Sequence, residues 1–286
     1  MELISEAKNK NPNESCNIMK RISLLVAVSV GCLLFQSAKA QLFQEGFNYT
    51  SGGTLGGNGP WTGGNANTTI GSGNLTYPGL YDLGGNDLSL ISGVSAGSTI
   101  ANFTGTAITS GSIFYSFVLE CTALPTANNY LTSLLPTGSS GPAGGTDPLA
   151  FYVGQQTAGS TYKLGVRSGG SGATYASSAL FTVGTVNLVV VEYTFGGNVS
   201  LFVNPTPGAS QPVANVSFAA GVSAANLQEV GFKAQSAATA GNWLFDNLMI
   251  GTSWTDVTPI AVPEPATFAL AGLGLLGFAL ARRMRS

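Results

Sequence analysis

Between residues 41 and 260 the chain consists of short β-branched and aromatic runs, cut by glycine-rich turns roughly every ten residues. That rhythm constrains the fold more than any other feature. Residues 113–121 (IFYSFVLEC) alternate so that Ile113, Tyr115, Phe117 and Leu119 share one face of a strand. Residues 187–195 (NLVVVEYTF) and 198–204 (NVSLFVN) flank Gly196-Gly197, which predicts a hairpin closed by a two-residue primed turn. No segment carries a long amphipathic helical stripe, and no regular internal repeat is present. With 39 glycines in the chain, the pattern predicts one antiparallel all-β sandwich.

The remaining elements follow from the same signals. Residues 41–49 alternate around Phe43, Phe47 and Tyr49 and predict a first strand. Residues 50–79 read as a long loop or a set of short strands. Short strands are expected at 88–91 and 98–103, and residues 128–135 read as a turn of helix or a strand. Residues 136–148 (PTGSSGPAGGTDP) are a loop, and strands are expected at 149–154, 162–167, 173–181, 227–234 and 243–250. Strict alternation in the last one puts Leu244, Asp246, Leu248 and Ile250 on one face. It puts Trp243, Phe245, Asn247 and Met249 on the other. Both faces are apolar, so this strand should be central and covered on both sides. The run Phe245-Asp246-Asn247-Leu248-Met249-Ile250-Gly251 resembles the last strand of the concanavalin-like (laminin-G-like) jelly roll. That resemblance spans roughly residues 43–257 and implies that the first strand lies beside the last.

The two ends speak of export. Met19-Lys20-Arg21 opens a basic region, residues 22–35 are apolar, and Ala38-Lys39-Ala40 precedes Gln41 as an A-x-A cleavage site. These are the parts of a secretory signal peptide, implying the Sec translocon and signal peptidase as partners. Residues 1–18 fit no part of it, so the start is either Met19, with a miscalled extension, or Met1, with a long n-region. At the other end, 266–281 (ATFALAGLGLLGFALA) is free of charge. As a transmembrane helix it would measure about 24 Å, slightly short of a hydrocarbon core of about 30 Å. Arg282, Arg283 and Arg285 follow at once, and the positive-inside rule places them in the cytoplasm. Residues 259–265 form a linker in which Pro263 and Pro265 hold Glu264 extended. The order Pro263-Glu264-Pro265, short apolar helix, Arg cluster resembles the PEP-CTERM sorting signal of Gram-negative bacteria. That resemblance covers residues 262–286. It implies recognition and cleavage by an exosortase, with the helix a temporary handle and the domain destined for the cell surface or matrix.

The expected mature domain, 41–258, carries nine acids against three bases (Lys163, Arg167 and Lys233), a net charge of −6. Such a surface argues against nucleic acid, which needs clustered Lys and Arg. The chain has no histidine, which removes Ser-His-Asp and Cys-His nucleophiles and His-ligated zinc. Cys121 is the one cysteine beyond the leader and is expected to be a small buried core residue. Asp246 either binds an ion or glycan or accepts hydrogen bonds from a loop backbone. Asp82 and Asp87 flank a Gly-rich turn in which Ca²⁺ is conceivable, although no EF-hand spacing is present. No other cofactor is expected. Glu120 and Glu192 sit on separate strands, and nothing in the spacing pairs them for glycoside hydrolysis. Trp61, Tyr77 and Tyr81 fall in loop-like sequence and are either sugar-stacking contacts or core anchors. The combined expectation is a non-enzymatic envelope or matrix protein associated with exopolysaccharide. The alternatives are a carbohydrate-binding module and a polysaccharide hydrolase.

Overall fold

The structure is a computed structural model and describes residues 41–64, 66–93, 97–155, 160–169, 174–175, 180–221, 226–234 and 238–260. The leader with Ala38 and Ala40, the Pro-Glu-Pro segment, the apolar run and the Arg cluster lie outside the described residues. Sixteen strands, one single-turn α-helix and a 3-10 turn at Ala238–Ala240 make up the described fold. The first eight strands are β1 (Gln41–Glu45), β2 (Thr62–Gly63), β3 (Thr68–Ile70), β4 (Leu88–Ile91), β5 (Gly97–Asn102), β6 (Ser112–Ala123), β7 (Asn129–Leu135) and β8 (Leu149–Gln155). They are followed by β9 (Thr161–Arg167), β10 (Thr174–Tyr175), β11 (Phe181–Thr182), β12 (Val186–Thr194), β13 (Asn198–Val203), β14 (Val216–Ala219), β15 (Glu229–Ala234), β16 (Asn242–Gly251) and helix α1 (Trp254–Val257).

The strands form two eight-stranded antiparallel sheets. The first runs β14-β13-β12-β6-β16-β4-β3, with β1 also on β16; the second runs β10-β9-β8-β7-β15-β5-β2, with β11 on β9. Their inner faces meet in one core, where Phe117 of the first sheet lies 5.0 Å from Phe151 of the second and Phe232 lies 5.1 Å from Phe245. This is the expected all-β antiparallel sandwich, consistent with a jelly roll, and β1 pairs beside β16. Residues 128–135 resolve as a strand. Cys121 is fully buried in the core, and burial pushes its thiol up to about 12.

The first sheet is apolar on both faces. Along β6, Ile113, Tyr115, Phe117 and Leu119 point into the sandwich, while Phe114 and Val118 point outward. β12 repeats this with Val189 and Val191 inward and Leu188 and Val190 outward. The outer face therefore needs its own cover, since leaving a Phe or Leu in water forfeits about 1.5–3 kcal/mol each. Leu75 and Leu80 from the β3–β4 loop supply it, with Trp254 and Val257 of α1, making a second core outside the sandwich.

Three expectations are corrected. The alternation of β16 breaks at Asp246–Asn247, where the register with β6 shifts and Asn247 takes φ 49°. This bulge inserts one residue and reverses the phase beyond it. Leu248 and Ile250 therefore join Trp243 and Phe245 in the inner core, and Met249 joins the outer cluster. The β12–β13 connection has three residues, Phe195 to Gly197, instead of two. Gly196 there takes φ 68°, and the Gly197 amide donates to the Thr194 carbonyl. The strand expected at 173–181 is two short pieces, β10 and β11, both on β9.

Candidate functional site

The bulge in β16 has a structural consequence. β4 pairs with β16 over Asn242–Phe245 and β1 pairs with it over Leu248–Gly251. Asp246 and Asn247 fall between these two partners, and their side chains turn to the β3–β4 loop. The Asp246 carboxylate accepts from the Leu75 amide at 2.9 Å and from the Asn247 amide at 2.7 Å. Asn247 donates through Nδ2 to the Leu75 carbonyl at 3.1 Å and accepts from the Leu83 amide at 2.7 Å. The bulge thus holds the loop near both ends and presses Leu75 and Leu80 onto the outer face. Of the two readings of Asp246, the loop-backbone acceptor is the one observed.

Burial dominates the electrostatics of this clamp. Asp246 has no exposed surface, and desolvation pushes its pKa up to about 7, against the pull of its two N–H partners; the Asp82 and Asp87 charges add to the rise. Asp87 is also buried and raised for the same reason, and its carboxylate packs against Gly71 and Gly73, where no Cβ would fit. Asp82 is exposed, accepting from the Gly84 amide and from Asn74. The oxygens of Asp82 and Asp246 are thus already engaged. Among the described residues, no three acid, Cys or His side chains converge to hold a metal.

The loop clamped by Asp246 meets the end of the domain. The Tyr81 amide donates to the Pro259 carbonyl at 2.8 Å, and Leu80 forms a β-bridge with Ile260. The β13–β14 loop approaches from the other side. The Gly208 amide donates to the Thr258 carbonyl, and Trp254 Nε1 donates to the Ala209 carbonyl, both at 2.9 Å. Ser116 Oγ on β6 fixes the Val257 carbonyl at 2.7 Å. Pro259 and Ile260, linker residues by sequence, are therefore bonded to the domain. This exit face is the candidate site.

The aromatic candidates divide. Trp61 is 1% exposed, its Nε1 donates to Glu45 at 2.9 Å, and its ring packs 5.5 Å from Phe232. It is a core anchor with no ring face open to a sugar. Tyr77 is half-buried against the outer cluster, while Tyr81 is 49% exposed beside the exit. Glu120 and Glu192 are far apart: Glu192 lies opposite Phe114 on the β6 ladder, six residues from Glu120, or about 20 Å. Ile260, exposed at the exit, and Val213, exposed on the β13–β14 loop, carried no sequence signal, because single apolar residues in loops are ordinary.

Comparison with known proteins adds the following. Residues 261–283 match the PEP-CTERM protein-sorting motif. No curated protein matches the chain. Among solved structures, the T. cruzi calreticulin globular domain is similar with TM-score 0.47 and 13% identity, over 76% of this chain and 90% of that one. A botulinum neurotoxin serotype D ligand binding domain, solved with N-acetylneuraminic acid, aligns with TM-score 0.41 and 9% identity, over 75% of this chain and 48% of that one. Trypanosoma rangeli sialidase aligns with TM-score 0.39 and 12% identity, over 65% of this chain and 27% of that one. The chain is an all-β sandwich that carries a PEP-CTERM sorting motif, beginning at the residue after Ile260, which bridges to Leu80.

Proposed function

We propose that this chain is an exported, non-enzymatic envelope or matrix protein. In this reading a concanavalin-like sandwich is the cargo, and residues 261–283 are the signal by which an exosortase sorts and cleaves it. The observation that carries the proposal is the sorting motif joined to an ordered exit. The leader ending at Ala38-Lys39-Ala40 supports export through Sec with signal-peptidase cleavage before Gln41. Until cleavage, the apolar run holds the protein in the inner membrane of a Gram-negative cell, with Arg282, Arg283 and Arg285 inside. The non-enzymatic reading is supported by the use of the acids: six of the nine are buried, and Asp246, Asp147, Glu229, Glu45 and Asp256 are occupied in holding loop backbone.

Mass spectrometry of the protein from wild-type and exosortase-deficient cells tests this. A C-terminus within or before the motif is expected in the wild type, and Arg285-Ser286 is expected to survive only in the deficient strain. An intact C-terminus in both would refute the sorting role. A second reading, association with exopolysaccharide through loop aromatics, is favoured by the exposure of Tyr81 next to Tyr77. Glycan-array binding that is lost in Tyr81→Ala and kept in Ile91→Ala is its expected signature; no binding by the intact domain removes it.

A further inference from the structure

We propose that the exit face is a membrane-contacting surface: before cleavage, Tyr81, Val213 and Ile260 rest on the lipid surface. This rests on the reading of residues 266–281 as the membrane handle. Five large apolar residues are exposed among the described residues, Tyr81, Ile91, Leu180, Val213 and Ile260. Two of them, Tyr81 and Ile260, stand at the exit, and Val213 stands on the loop that packs against it. Tyr81 is bonded through its backbone to Pro259, next to Ile260. The Ile260 side chain lies on Gly208, in the loop that carries Val213, which is 95% exposed. That loop shapes a groove of about 310 Å³ in which Phe202, Pro205, Pro212 and Val213 share the lining with uncharged polar side chains such as Asn204 and Asn215. Ile91 pairs with Asn242 at the opposite end of β16, and Leu180 precedes β11 on the other sheet.

The tether selects lipid as the partner. Only residues 261–265 separate Ile260 from the apolar run, a reach of at most about 20 Å when fully extended. A domain of this length has a radius of gyration of about 17 Å, hence a diameter of about 45 Å. A tether under half that diameter keeps the exit face turned to the bilayer. Charge indicates how contact is made. Lys163 and Arg167 lie on β9 and Lys233 on β15, all in the second sheet, while Asp82 is exposed on the exit loop. Contact with lipid is therefore apolar, with Tyr81 placed where an aromatic ring with a polar tip suits a headgroup boundary, and it does not depend on anionic lipid.

The test uses the leader-free precursor from exosortase-deficient cells, reconstituted into phosphatidylethanolamine–phosphatidylcholine vesicles with or without phosphatidylglycerol. Cys121 is buried, so a fluorophore placed through Tyr81→Cys, Val213→Cys or Leu180→Cys reports one site. Headgroup-quencher lipids are expected to quench positions 81 and 213 at least threefold more than 180, equally in both vesicle types. Equal quenching at all three positions in protein that floats with the vesicles overturns the contact, as does quenching that needs phosphatidylglycerol. Protein that does not float overturns the membrane handle itself. Should a cysteine variant misfold, hydroxyl-radical footprinting of Tyr81 in the unmodified precursor decides: protection by vesicles is expected, and unchanged labelling overturns the contact.

Discussion

The Glu45 carboxylate, at the end of β1, accepts from the Phe47 amide at 2.7 Å, the Tyr49 hydroxyl at 2.7 Å and Trp61 Nε1 at 2.9 Å. Its neighbour Tyr49 is raised far above an ordinary phenol, by burial first and by Glu45 second. Replacing Glu45 with Gln turns one acceptor into a donor facing donors. A loss of about 1–3 kcal/mol is expected in urea unfolding; an unchanged midpoint would refute the anchoring role. Asp246 gives the opposite pH signature to a paired surface acid. Its folded pKa is raised from 3.8 to about 7, so between those values the folded state binds more protons than the unfolded one. Its contribution to stability is full below about pH 4 and is lost as pH rises through 7. Thermal melts should show the wild type less stable at pH 8 than at pH 5, and Asp246→Asn should flatten that slope. An equally steep slope in the variant would assign the effect elsewhere, with Asp87, raised in the same direction, the next candidate.

At the scale of the element, the β16 bulge decides which side chains enter which core. Deleting Asn247 removes the one extra residue, so strict alternation keeps Leu248 and Ile250 inward with Trp243 and Phe245 and Met249 outward, and what is lost is the clamp on the Leu75 carbonyl and the Leu83 amide. Two loop-backbone groups left without their Asn247 partner cost about 1–3 kcal/mol each, well short of the upper end of the 5–15 kcal/mol that holds a domain together. A lower urea midpoint with a cooperative transition and retained near-UV circular dichroism is expected; loss of cooperativity would show that the core phase had changed. The β12–β13 turn offers a milder contrast. Gly196 sits at φ 68° with open space around it, so Gly196→Ala meets backbone strain alone, about 1 kcal/mol. These two places mark what the sequence conveys. β4 and the β12–β13 pairing were legible because a period of two is visible when apolar and turn residues contrast. The bulge was not, because Leu248, Met249 and Ile250 are all apolar and carry no phase. Asp246 was legible only as a pair of alternatives, since its acceptor role depends on Leu75, 171 residues away.

For the whole molecule, the sorting motif was readable from local order and charge, whereas the outer core was not. It is assembled from residues 75–80, 114–118, 188–202 and 249–257, brought together only by the folded first sheet. That assembly fixes where the domain ends. Trp254 and Val257 are both buried in the outer cluster, and 258–260 are bonded to two loops, whereas among the described residues no inner-core residue lies beyond Ile250. A fragment of residues 41–260 should therefore unfold in one cooperative transition without leader or tail. A fragment of 41–253 should keep the inner sandwich and expose Phe114, Val118, Leu188 and Val190 on its outer face. Strong binding of 8-anilinonaphthalene-1-sulfonate and a lower urea midpoint are expected for the shorter fragment alone. The loss should reach about 3–5 kcal/mol, the range for truncating one large buried aromatic. If 41–253 matched 41–260 in both measurements, α1 and the exit segment would be an appendage of the domain, and cleavage upstream of Trp254 would leave the cargo intact. If the expected difference holds, sorting leaves the outer core intact when the exosortase cuts beyond Val257, a range that includes the motif beginning at residue 261.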